Sequence, residues 1–100
     1  MATLEEITDR IKLGVGADSG LGKSLKFDFK GEGFIHIDGG AVTNEDTPAD
    51  CTLVISKDDF EKLARRELDP MSAMMSGKLK VNGDMSVALK LQSLMAKARG

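Results

Sequence analysis

The sequence predicts an α+β domain in two layers, a mixed, mostly antiparallel sheet covered by helices on one face. Three observations predict it. Residues 3–13 place apolar side chains at helical spacing, and apolar–polar alternation with a period of two recurs in 24–30, 34–38, 51–55 and 78–82. A helical stretch of roughly 20 residues separates the third strand from the fourth, and a further helical pattern follows the fourth.

Thr3 and Glu6 form a T-x-x-E capping box, in which the threonine oxygen accepts from a backbone N–H and the glutamate reaches back to the cap. Leu4, Ile7 and Ile11 then share a face, with Glu5, Glu6, Asp9, Arg10 and Lys12 outside it. Gly14 and Gly16 end this helix, and 14–22 is a glycine-rich connection. In 24–30, Leu25, Phe27 and Phe29 alternate with Lys26, Asp28 and Lys30, as in a strand with one wet face. Gly31-Glu32-Gly33 turns the chain into 34–38, where Ile35 and Ile37 share a face. Gly39-Gly40 breaks that strand, 44–48 is a polar loop, and Cys51, Leu53 and Ile55 share one face of a third strand. Three strands joined in this way read as a meander.

Ser56 and Asp59 open a second helix, with Phe60, Leu63, Ala64 and Leu68 inward. Asp69 followed by Pro70 is a cap followed by proline at the first helical position, starting a short helix that presents Met71, Met74 and Met75. Gly77 closes it, and Leu79 and Val81 face inward from the fourth strand. Asp84 caps a last helix running to about residue 99, roughly 22 Å at 1.5 Å per residue. The helical crossover makes the sheet mixed, with helices stacked on one side.

One hundred residues make a single domain, 1–100, large enough to bury a core. A net charge of −2 exerts no long-range pull on nucleic acid or anionic membrane. No apolar run approaches the ~18 residues of a membrane span. The acidic start, MATLEEITDR, is not a secretory signal, and Ala98-Arg99-Gly100 is not a peroxisomal address. A single cysteine, Cys51, fits a reducing compartment, so the expected location is cytoplasmic. Six methionines against four Phe and no Trp or Tyr favour surfaces that adapt to ligands of varied shape, although methionine also fills gaps in ordinary cores.

Catalytic readings fail on their own requirements. Residues 17–24, ADSGLGKS, approximate a phosphate-binding loop, but that mechanism needs a strand before and a helix after, and the order here is reversed. Cys51 and His36 could pair as nucleophile and base only on one sheet face; alternation puts them on opposite faces, leaving a buried structural thiol and a surface histidine. One histidine and one cysteine leave no zinc or haem set, so no cofactor and no enzymatic activity are expected. Asp69 and Asp84 are explained as caps, and Lys78, Lys80 and Lys90 as a solvated face or a weak headgroup anchor.

What remains is an apolar surplus. Met85, Val87, Ala88, Leu89, Leu91, Leu94, Met95, Ala96 and Ala98 lie in the last helix, whereas a helix buried on one face needs about three apolar positions in seven. The surplus fits burial on two sides, a dimer face, or the wall of a ligand cavity in which Gln92 supplies one orienting amide.

The run GKLKVNGDMSVALKLQ at 77–92 resembles the signature of the sterol carrier protein type 2 family. The amphipathic first helix, the strand at 25–30, Ala49-Asp50-Cys51-Thr52, the helix from Lys57 and PMSAMMSGKLK at 70–80 follow the same family in order across nearly the whole chain. The resemblance implies a five-stranded sheet enclosing an apolar tunnel, and a carrier of fatty acid, fatty acyl-CoA, phospholipid or sterol. Met74 and Met75 stand where relatives often place two phenylalanines, which implies a cavity that is softer or shaped for a different lipid. The expected lipid-facing residues are Phe27, Phe29, Ile35, Ile37, Leu53, Ile55, Phe60, Met71, Met74, Met75, Met85, Leu89, Gln92 and Met95. Two alternatives stand beside a free monomeric carrier: a non-catalytic interaction module dimerising through the last helix, and an accessory domain presenting acyl-CoA to a lipid-metabolising enzyme.

Overall fold

The computed structural model describes residues 3–16 and 22–90. Helix α1 (Leu4–Val15) starts as its capping box requires, with Thr3 Oγ1 accepting from the Glu6 N–H at 3.1 Å, and buries Ile7, Ile11 and Val15. Strand β1 (Leu25–Asp28) turns through Phe29–Gly33 into β2 (Phe34–Asp38), held by a bond from the Phe29 N–H to the Gly33 carbonyl. Gly39-Gly40 then forms a hairpin into β3 (Ala41–Thr43). After a polar loop come β4 (Cys51–Ile55), α2 (Lys57–Ala64), α3 (Pro70–Met75), β5 (Leu79–Gly83) and α4 (Met85–Leu89). Ser56, Asp69 and Asp84 cap the last three helices through their side-chain oxygens, as expected.

The five strands lie in the order β3-β2-β1-β4-β5. All neighbours are antiparallel except β1 and β4. The sheet is therefore mixed and mostly antiparallel, but not for the expected reason: the helical crossover joins β4 and β5, which are antiparallel, and the fifth strand implied by the family resemblance is β3. The meander is corrected: the strand after the polar loop pairs not with β2 but in parallel with β1. The cause is the loop at 44–50, which leaves the β3 edge and crosses the outer face of β2 and β1. There Lys26 Nζ meets Asp46 Oδ1 at 2.6 Å, and His36 Nε2 meets the Pro48 carbonyl at 3.3 Å. The same crossing buries His36, which is 8 % exposed rather than a surface residue.

Register sorts the side chains. Val42, Ile37, Leu25 and Cys51 lie side by side across four strands, and Ile35, Phe27, Leu53 and Val81 form the next row. Directly paired residues point the same way, so both rows share one face. Lys26, His36, Thr52, Asn82 and Lys80 take the other. Helix α2 closes the apolar face by setting Phe60 edge-on to Phe27 and Phe29, at ring-centroid distances of 5.1 and 5.4 Å. Such aromatic pairs contribute about 0.5–1.5 kcal/mol each beyond the area they bury. An Arg10–Glu61 ion pair joins α1 to α2 over this layer.

Candidate functional site

Among the described residues the apolar layer is fully buried beneath α1 and α2 and less so at β5. Phe27, Phe29, Ile35, Ile37, Leu53, Ile55 and Phe60, seven of the expected lipid-facing residues, are at most 1 % exposed and pack as core. Val81 on β5, on the same face, is only half-buried. The two short helices flanking β5 are each anchored by one small buried side chain, Ala73 in α3 and Val87 in α4.

Those anchors leave larger side chains outside. Met71 and Met75, one turn apart on α3, are 60 % and 87 % exposed. Met85 and Leu89, one turn apart on α4, are 48 % and 75 % exposed. Met74 is half-buried against the core. Four of the five large apolar side chains that are exposed among the described residues thus belong to α3 and α4. Isolated exposed apolar residues need no explanation, but a concentration of them at one edge of a layer marks a candidate binding surface. The expected set therefore divides into a buried floor of strand residues and Phe60, and an exposed rim of Met71, Met75, Met85 and Leu89, with Met74 between. Gln92 and Met95, together with the helix expected beyond Leu89, lie outside the described residues.

The sequence placed Val81 inward on the fourth strand by its alternation with Lys80 and Asn82, but did not count it among the lipid-facing residues. A concavity at the opposite, β3 side is lined by Thr3, Leu4, Glu5, Thr8, Asp9, Lys12 and Asn44. One apolar side chain among seven makes it unsuited to an acyl chain.

The polar groups around the apolar face serve structure. Lys23 and Ser86 hold the Asp84 carboxylate through hydrogen bonds, which keeps it well below the usual carboxylate range. Ser24 and Asp50 exchange hydrogen bonds beside it, and the Asp84 N–H donates to the Asp50 carbonyl, so the segment before β1 is tied to the start of α4. Burial pushes the Cys51 thiol up, away from the thiolate a nucleophile requires. Cys51 and His36 do lie on opposite faces of the sheet, as alternation predicted. Lys80 points to the outer face with Val54 rather than toward the apolar layer, and Lys78 is exposed. Among the described residues no three His, Cys, Asp or Glu side chains converge as metal ligands, and no helix is long and apolar enough to cross a membrane.

Comparison with known proteins places this geometry. The model of the SCP-2 sterol transfer family matches residues 2–96. Sterol carrier protein 2 from Homo sapiens is 43% identical over 56 residues, which are 56% of this chain and 10% of that protein. Hydroxysteroid dehydrogenase-like protein 2 from Danio rerio is 43% identical over 61 residues, 59% of this chain and 15% of that protein. The chain therefore spans only a small part of the length of the curated relatives it matches. Among solved structures, Sterol Carrier Protein 2 Like 2 from Aedes aegypti superposes with a TM-score of 0.76 at 25% identity, covering 90% of this chain and 94% of that one.

Proposed function

The chain belongs to the SCP-2 sterol transfer family, and from that premise we propose that it binds and carries a lipid on the apolar face at β5, where that face is less buried. The observation that carries the reading is the concentration of exposed methionine and leucine on α3 and α4, the helices flanking β5 and its half-buried Val81, in a chain whose strand Phe and Ile are buried. The ligand's apolar chain lies against Met71, Met74, Met75, Met85 and Leu89; the lipid-facing set expected from the sequence also includes Gln92 and Met95. Phe27, Phe29, Ile35, Ile37, Leu53, Ile55 and Phe60 form the packed floor that supports this wall. Methionine suits this role because its unbranched thioether adapts to many shapes. Ten buried methylenes contribute roughly 8 kcal/mol before the cost of association, so affinity needs no exact polar match. Broad selectivity among fatty acid, acyl-CoA, phospholipid and sterol follows from that arithmetic, and no step of carriage requires a catalytic group or a cofactor.

A second reading rests on a specific likeness. One relative is named as a dehydrogenase-like protein, and the matched part is a small fraction of it. By that reading the domain presents acyl-CoA to a lipid-metabolising partner.

Titrating delipidated protein with a fluorescent fatty acid tests both readings. Saturable binding at one ligand per chain, displaced by fatty acid, palmitoyl-CoA or cholesterol, is the expected result, and the best competitor names the lipid class. Absence of binding by folded protein would overturn the carrier and leave an interaction module.

A further inference from the structure

Asn82 and Gly83 close β5, and both are exposed. β5 is an edge strand, flanked by β4 alone among the described strands. The Asp84 N–H donates to the Asp50 carbonyl at 2.8 Å, one residue outside the Cys51–Gly83 pair on each strand. In an antiparallel ladder, a bond so placed brackets a pair whose own amides do not bond to each other. The Gly83 N–H therefore points away from β4, toward the side of β5 that no other described strand occupies. Asn82 shares the outer face with Lys80, and its side-chain amide takes part in none of the hydrogen bonds among the described residues. Gly83 cannot be shielded by a side chain. Its φ is +114°, and a Cβ there would run into the Asp50 carbonyl and the Cys51 Cα.

An unbound asparagine amide thus precedes a bare nitrogen that the sheet does not use. We propose that Asn82-Gly83 is a site of spontaneous deamidation in the folded protein. The Gly83 nitrogen attacks Asn82 Cγ; the N–Cγ bond forms, the Cγ–Nδ2 bond breaks, and ammonia leaves with the proton lost by the Gly83 nitrogen. The resulting five-membered succinimide is opened by water at either carbonyl, giving aspartate or isoaspartate. Attack requires Asn82 to leave its extended ψ, and opening of the last residue pair of an edge strand provides that. Isoaspartate inserts a carbon into the backbone and shifts Gly83 off its register with Cys51, while either product adds a negative charge next to the Asp84 cap. The start of α4, at Asp84 and Met85, is therefore the part that loosens as the protein ages. This inference does not depend on the lipid reading.

Asn44 is the internal control. Its amide donates to Thr8 Oγ1 at 2.9 Å and to the Phe34 carbonyl at 2.8 Å, and glutamate follows it. The folded chain is incubated at mildly alkaline pH beside a sample unfolded in urea, and both are sampled by peptide mass mapping. The expected result is an NH2-to-OH mass change at position 82 in the folded sample, with Asn44 intact and with Asn82→Gln abolishing the change at unaltered melting temperature. If position 82 of the folded chain remains asparagine when the unfolded sample has converted, or if Asn44 converts as fast, the proposal is overturned.

Discussion

Asp84 gathers three hydrogen bonds on one carboxylate and so ties α4 to the segment before β1. It accepts from the Ser86 N–H at 2.8 Å to cap α4, from the Ser86 hydroxyl at 2.6 Å, and from Lys23 in the segment leading to β1. Its carboxyl is more acidic folded than unfolded, with the Lys23 hydrogen bond as the first cause. A group whose folded pKa is depressed contributes stability above its unfolded pKa and loses that contribution as pH falls through the folded one. Urea midpoints measured from neutral to strongly acidic pH should therefore fall less steeply in Asp84→Asn, which keeps a capping oxygen but has no charge to protonate. Asp84→Ala should lie below both at neutral pH, because the cap is lost as well. An unchanged acid slope in Asp84→Asn would show that Lys23 and Ser86 do not hold the charge. Glycines give a second contrast at this scale. Gly83→Ala meets backbone atoms at a positive φ, whereas Gly39→Ala, also at positive φ, meets open space. The second should cost about 1 kcal/mol and the first clearly more in the same unfolding assay. Caps at Thr3, Ser56, Asp69 and Asp84 were legible because capping is local chemistry. The burial of His36 was not, since it depends on a loop arriving from another edge of the sheet.

Helix α2 shows how an element is legible from its pattern while its consequence is not. The S-x-x-D start and the spacing of Phe60, Leu63 and Ala64 predict both the helix and its inner face. They do not predict that Phe60 stands edge-on to two parallel rings, Phe27 in β1 and Phe29 just after it, lying 6.0 Å apart at 4°. Phe60→Ala should cost about 3–5 kcal/mol, a large share of the roughly 5–15 kcal/mol available to a domain, and should be read as a lowered denaturant midpoint at constant m-value. A cost below about 1 kcal/mol would mean that the ring cluster is not the centre of the core. Strand β3 shows the reverse. Its three residues, set between a Gly-Gly turn and a polar loop, are too few for a period of two to register, and only pairing with β2 defines it. The parallel pairing of β1 and β4 was hidden for a related reason: strand order is set by where the polar loop crosses, and that loop carries no hydrophobic period.

At the scale of the whole molecule, the expected lipid-facing residues separate by what their loss should do. Periodicity identified the apolar positions but could not divide floor from rim, because a strand's period of two and a helix's spacing of three to four both mark apolar positions without saying how deeply each is buried. Burial makes that division: Phe60 is 1 % exposed, and Met75 is 87 % exposed. If the rim binds lipid, Met75→Glu combined with Leu89→Glu should leave stability within about 0.5 kcal/mol, as at other exposed positions, while weakening fatty-acid binding about tenfold or more. Placing a carboxylate against an acyl chain costs desolvation that water alone does not impose. Floor variants should instead lose stability first and binding only through it, so Ile35→Val or Leu53→Ala should shift the denaturant midpoint at nearly unchanged affinity per folded molecule. The two classes are read in one pair of experiments, urea unfolding and fluorescent fatty-acid titration on the same preparations. A rim variant that unfolds would mean that Met75 and Leu89 are core in the working protein, and one that binds normally would move the lipid to another surface. The carrier reading requires the third outcome, in which stability and binding come apart at the rim and stay together at the floor.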